Sequence, residues 1–126
     1  MSNITGQHAE ILTLVAEATI SKRYAVKVGT AENGVVVSDA TSKTIGILVA
    51  DSDATTNKHA PVCVHGVCEA ICGAAVTAGD VLSADSAGKV VSAASSAYPF
   101  AWAMETTTAT GEYIKIFVVG PGTVKG

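Results

Sequence analysis

The chain has 126 residues, 48% of them hydrophobic and only 15% charged, with a formal net charge of −3. Such a composition describes one domain with enough apolar material for a core, and it excludes extensive disorder. With no basic patch and no Lys/Arg stripe interleaved with aromatics, it argues against nucleic-acid binding. No run approaches the ~20 apolar residues of a membrane helix, and the N-terminus lacks the basic start and apolar stretch of a secretory signal. These features predict a protein made and kept in a cytoplasm. Three cysteines, an odd number, agree with reduced thiols better than with a disulfide framework.

Met1–Gln7 is polar and turn-rich and reads as an arm. Ile11–Val15 is β-prone and apolar, a buried strand. Tyr24–Val28 alternates, placing Tyr24, Val26 and Val28 on one face. Glu32-Asn33-Gly34 is a turn signal, because Asn-Gly readily takes positive φ, and Val35–Val37 returns as the second arm of a hairpin. Ile45–Ala50 is another apolar strand, and Asp51–Ala60 reads as an exposed polar loop. Pro61 suits the start or edge of a strand Val62–His65, and Gly66 a bulge or bend before Val67–Ile71. Glu69–Val76 has weak helical character, opposed by Gly73 and Val76.

Val81–Ala84 and Lys89–Ser92 flank the turn Asp85–Gly88, and Ala93–Ser96 is a small-residue loop. Phe100–Met104 alternates large and small, with Phe100, Trp102 and Met104 facing one way. Thr106–Gly111 is polar and turn-like, Tyr113–Val119 is the strongest strand, and Gly120–Gly126 is a flexible tail. About eight to ten short strands without a convincing helix predict an all-β domain, a compact barrel or sandwich.

The two halves resemble each other. Ile11–Ile20 lies over Val67–Val76 at an offset of 56, and Gly34–Ser38 over Gly88–Ser92 at 54. At the second offset Ser42 falls on Ser96 and Val62–Gly66 on Ile116–Gly120. Few positions are identical. Such a period points to one supersecondary unit used twice, with repeats at 11–66 and 67–120, inside a single β domain over 8–120. A compact module of that kind suits surface contact better than a dedicated catalytic cleft.

Candidate sites are sparse. Cys63, Cys68 and Cys72, with His59 and His65 nearby, offer soft metal ligands, but the cysteine gaps are four and three residues and no second close pair follows. The internal alignment sets Cys63 on Phe117, Cys68 on Leu12 and Cys72 on Ala16, all apolar slots, so packing thiols are the expectation. His65 would share a strand face with Cys63, yet nothing supplies an oxyanion hole for a thiol nucleophile. Asp51, Asp53, Thr55 and Asn57 begin like a calcium loop, which fails at Thr56 and Val62. Asp80 is expected to cap a turn, and Glu69 and Glu105 are isolated acids. No catalytic, cofactor or metal residue is therefore assigned. Phe100, Trp102 and Met104 are expected to anchor the core or a subunit interface, with ligand stacking the lesser alternative.

Several strings stand in a suggestive order: Ile4-Thr5-Gly6-Gln7, Ile11–Val15, Gly66-Val67-Cys68-Glu69, Ala78-Gly79-Asp80-Val81-Leu82, Ala87-Gly88-Lys89-Val90-Val91, Ala101–Glu105 and Ile114–Val119. In that order the chain resembles the small capsid cement, or decoration, proteins of tailed phages, over about residues 4 to 119. The cysteine set departs from that pattern. The resemblance implies a non-enzymatic β-protein on the outer surface of the virion, made in the host cytoplasm. Its implied partners are the major capsid protein and its own copies, as a homotrimer, with neither nucleic acid nor membrane. It also implies that Met1, Ser2, Asn3, Ile4, Thr5, Gly6 and Gln7 form a capsid-contact arm. The alternatives are a tail-tube or fibre-associated module of the particle, and a thiol- or metal-dependent small enzyme using the cysteine cluster.

Overall fold

The computed structural model describes residues 9–50, 53–94 and 97–120. Among them every regular element is a strand: β1 (Ala9–Ala16), β2 (Ala25–Val28), β3 (Gly34–Val37), β4 (Gly46–Leu48), β5 (His59–Ile71), β6 (Val81–Ala84), β7 (Val90–Ser92), β8 (Ala101–Ala103) and β9 (Tyr113–Val118). The all-β expectation holds, with no helix at Glu69–Val76. The main difference lies in β5. Instead of a loop followed by two strands, it is one strand of 13 residues that runs through Pro61 and Gly66. Pro61 is accommodated where the β4 ladder ends: its carbonyl accepts from Val49 N–H at 3.0 Å, and the proline forgoes only the return bond. Gly66 takes φ 109°, a twist that turns the strand without breaking it.

The sheet order is β1-β3-β2-β4-β5-β9-β8-β6-β7, and β1 also pairs with β5. That extra pairing closes β1, β3, β2, β4 and the first half of β5 into a five-stranded ring, here ring 1. The second half of β5 continues through β9, β8, β6 and β7, and a parallel bridge between Cys72 and Val90 completes ring 2. One long strand thus belongs to both rings.

The ladders of ring 2 copy those of ring 1. Ile11↔Cys63 and Leu12↔Val62 in β1–β5 recur as Val67↔Phe117 and Cys68↔Ile116 in β5–β9. Ala25↔Ile47 recurs as Val81↔Trp102, and Ile47↔Cys63 as Trp102↔Phe117. The parallel pair Ala16↔Val35 recurs as Cys72↔Val90. In these ladders Gly34 corresponds to Lys89, one residue on from the alignment drawn by sequence. Backbone conformation follows the same rule. The positive-φ residues Arg23, Asn33, Asn57 and Gly66 have counterparts in Gly79, Gly88, Gly111 and Gly120, which are also positive.

Each ring fills its own interior. Ala16, Ile20, Val26, Val35, Leu48, Ala60 and Val62 pack inside ring 1. Their counterparts Cys72, Val76, Leu82, Val90, Ala103, Ile114 and Ile116 pack inside ring 2. Strand alternation sends the neighbours Ala25, Ile47 and Cys63 to the outer wall of ring 1. There they are fully buried, because they join the core of ring 2. The joint between the rings is therefore apolar, and its hydrogen bonds include Ala25 N–H to Gly88 O at 2.7 Å and Ile71 N–H to Arg23 O at 3.1 Å.

Polar side chains fix the connections. Glu17 accepts from Ala31 N–H and the Thr30 hydroxyl, which lowers its pKa and pins the β2–β3 turn. Asp39 accepts from Lys27 Nζ at 2.8 Å and from Thr41 N–H at 3.0 Å, and the lysine foremost holds its carboxyl well below the usual range. A depressed folded pKa means that this contribution is complete above the ordinary Asp value and fades as the pH falls below about 4. Because both side chains are about one-third exposed, Asp39→Asn is expected to cost up to about 1 kcal/mol at pH 7. Urea titrations at pH 7 and pH 3 would show the gap between variant and parent narrowing in acid.

Candidate interaction surfaces

The cysteines lie along and just past β5, where the strand carries them between the two rings. Cys63 is fully buried on the outer wall of ring 1, its thiol 3.7 Å from the His65 carbonyl. Half-buried Cys68 packs against the same core, close to Cys63. The neighbouring Cys63 thiol foremost, and burial with it, push the Cys68 pKa upward. Cys72 is buried in ring 2, where its sulfur accepts from the Thr107 hydroxyl at 3.5 Å, and burial pushes its pKa upward. His59 and His65 are exposed; the His65 ring meets Phe117 edge-on at 5.6 Å. Among the described residues no group of three or more His, Cys, Asp or Glu side chains is gathered to hold a metal.

The remaining polar candidates are structural where they are described. Asp80 accepts from Thr77 N–H at 2.9 Å and the Ser92 hydroxyl at 2.7 Å, closing the turn before β6. Both bonds favour its charged form, the Ser92 contact most, and lower its pKa. Asp53 accepts from Lys22 N–H, and Asn57 donates its own N–H to Ala16 in a tight turn; Asp51 lies outside the described residues. Glu69 pairs with Arg23 at 3.3 Å, and Glu105 accepts from Lys115 N–H at 2.9 Å. These acids are spent singly on backbone and surface contacts.

The apolar candidates divide. Phe100 is fully buried and is the largest side chain in the core of ring 2. Trp102 and Met104 are about half exposed, so the three do not share one face, and a core role is excluded for the latter two in the single chain. β8 spans only Ala101–Ala103, and alternation buries its alanines and turns Trp102 outward. Trp102 lies beside Phe117 of β9 and Val81 of β6, and Phe117 beside Val67 of β5, so an apolar rung crosses four strands on the outer wall of ring 2. Met104 and Val119 extend it. A second apolar set, Ile11, Leu12 and Val28, is exposed on ring 1. Of these surface residues only Trp102 and Met104 stand out in the sequence. A signal for Phe117 was present: in Tyr113–Val119 the outward positions Tyr113, Phe117 and Val119 are as apolar as the inward ones, with Lys115 the exception, which is unusual for a strand with a solvated face.

Exposed apolar side chains grouped on the surface of a small β body are a common mark of contact surfaces. Residues 2–119 match the family model described as "Structural cement protein (E217 gp24/Pam3 gp6)". The chain belongs to this family of phage cement proteins and is a virion structural protein. No curated protein matches it. Among solved structures the fold is similar to that of the head fiber gp8.5 N base in bacteriophage phi29. That match has a TM-score of 0.67 and 15% identity, and covers 88% of this chain and 94% of the other.

Proposed function

We propose that this chain is a non-enzymatic cement protein that binds the outside of an assembled phage head and holds the shell against the pressure of packaged DNA. The observation that carries this reading is the family match over nearly the whole chain. The major capsid protein is the proposed partner, and copies of the chain cluster on the particle as homotrimers. Small contacts repeated on one particle sum through avidity, so no single interface need be strong. Trp102 and Met104 are proposed as self-association anchors, because large exposed apolar side chains are what such contacts bury. Phe100 supports them from inside the fold. Met1–Gln7, outside the described residues, is the proposed capsid-contact arm.

The molar ratio of this chain to the major capsid protein in purified particles tests the reading. A ratio of about one to one, enough copies to cover the shell and to act together through avidity, supports it. A few copies per particle would move the chain to a fibre or tail position, and absence from particles would overturn a structural role. Deletion of Ser2–Gln7 is expected to abolish retention on heads through pelleting and washing while leaving the thermal transition of the free protein unchanged. Undiminished binding would sink the arm.

A further inference from the structure

The repeated ladders give each paired strand position of ring 1 a counterpart in ring 2, the exposed apolar residues included. The outer wall of ring 1 carries the rung Ala25–Ile47–Cys63, all 0% exposed, with Val49 packed beside them; only Ile11, paired with Cys63 at the edge of that wall, is open, at 44%. Their counterparts in ring 2 are Val81, Trp102, Phe117 and Met104, of which Trp102 and Phe117 are 46% and 36% exposed. The same wall is thus covered once and open once.

The part of ring 2 that covers the wall of ring 1 is a rim built from Cys68, Ala84 and the Gly88 turn. Cys68 touches Cys63, Ala84 lies in the shared core, and the Gly88 carbonyl accepts from Ala25. The counterparts of this rim in ring 1 are Leu12, Val28 and Asn33. Leu12 and Val28 are 47% and 65% exposed. Among the described residues one chain therefore ends in an uncovered wall at ring 2 and an uncovered rim at ring 1, the two halves of the joint it already makes internally.

Resting on the structural role above, we propose that copies of this chain associate head to tail, the wall of ring 2 in one copy seating on the rim of ring 1 in the next. A repeat whose faces are buried by its neighbour leaves matching faces at its two ends, and a second copy is the one partner whose complementarity is already built. The counterpart of the Cys63–Cys68 contact is Phe117 against the partner subunit's Leu12. Both halves are bulkier than their internal models: Trp102 stands for Ile47, Phe117 for Cys63, Leu12 for Cys68 and Val28 for Ala84. The joint between copies therefore holds the rings farther apart than inside the chain while burying more apolar surface. It has no shared β5 to raise the local concentration of its partner, so it needs that extra area. Being heterologous, it either closes into a ring or continues as a filament, and closure after three copies gives the homotrimer.

The test uses two double variants of the full chain, Trp102→Asp with Phe117→Asp on the wall, and Leu12→Asp with Val28→Asp on the rim. All four residues are exposed, so both variants are expected to keep the parent circular dichroism and thermal transition. In sedimentation velocity each alone should associate about 100-fold more weakly than the parent, as loss of central anchors does. Mixed in equal amounts, they should form a heterodimer and nothing larger, because each supplies the half that the other lacks. A mixture that stays monomeric while the parent associates overturns the joint. So does either variant associating like the parent, or a parent still monomeric at about 1 mM, since contacts weaker than that carry under ~4 kcal/mol. Binding of the parent to heads is scored separately. Heterodimers without head binding would remove the cement reading and keep the joint, whereas head binding by copies that never pair would do the reverse, showing the wall and rim to be capsid contacts.

Discussion

Gly46→Val is expected to prevent folding at 37 °C, read as loss of soluble protein and of the cooperative thermal transition. A Cβ at Gly46 would run into the Cys63 backbone carbonyl and a methyl of Val62. The obstacle is chiefly main chain, which cannot swing away as a long side chain can. Gly46 lies in β4, which pairs with β2 on one side and with β5 on the other. Relief requires prising β4 from β5, and that opens ring 1 at the strand both rings share. Overpacking in a compliant core typically costs about 1–3 kcal/mol, and a rigid backbone contact belongs above that range. A folded domain has only about 5–15 kcal/mol in total. The counterpart of Gly46 in ring 2 is Ala101, buried with a methyl already in place. Ala101→Gly should therefore be milder, about 1–2 kcal/mol from backbone entropy and the loss of one buried methyl. Comparable stability of Gly46→Val and the parent would show that β4 and β5 are not this close.

Phe100→Ala is expected to cost about 3–5 kcal/mol, lowering the melting temperature by on the order of 10–20 °C. Phe100 is fully buried within the cluster that fills ring 2 and reaches the wall of ring 1. Its backbone N–H bonds Leu82, and its carbonyl accepts from Val119 and Gly120, so the residue is held from both sides and little collapse can fill the space. Trp102→Ala, two residues on, removes a larger side chain from an exposed position and should shift the melting temperature of the free chain far less. Measured together by scanning calorimetry on dilute protein, the pair separates burial from size. A large loss for Trp102→Ala would mean that its wall is already covered in the free protein.

Much of the architecture was legible because strands announce themselves locally. The β-prone run Tyr113–Val119, the Val35–Val37 run after Asn33-Gly34, and Val81–Ala84 before the Asp85 turn each follow from composition and turn chemistry within a few residues. The Asp85 turn is held by its own carboxylate, which accepts from Ala87 and Lys89 N–H. Asp80 was likewise readable as a turn cap, since its partner Thr77 is only three residues away. The continuity of β5 through Pro61 and Gly66 was not legible, because both residues usually interrupt strands, and only pairing with β1, β4 and β9 decides otherwise. The surfaces were half legible. Phe100, Trp102 and Met104 stood out by size and were expected on one face. Which of them faces the core depends on where β8 starts and stops against β6 and β9.

By itself the sequence determined most of the strand segments, the turns and, through the order of its motifs, the family. Those are local properties, or properties of order along the chain, that survive without coordinates. Tertiary structure alone decided that the fold closes into two rings, that the wall of ring 1 is buried, and that the matching wall at Trp102 and Phe117 is open. Whether an outward apolar residue meets solvent depends on what another part of the chain lays across it, and an identical alternation of side chains produces Ile47 in one ring and Trp102 in the other.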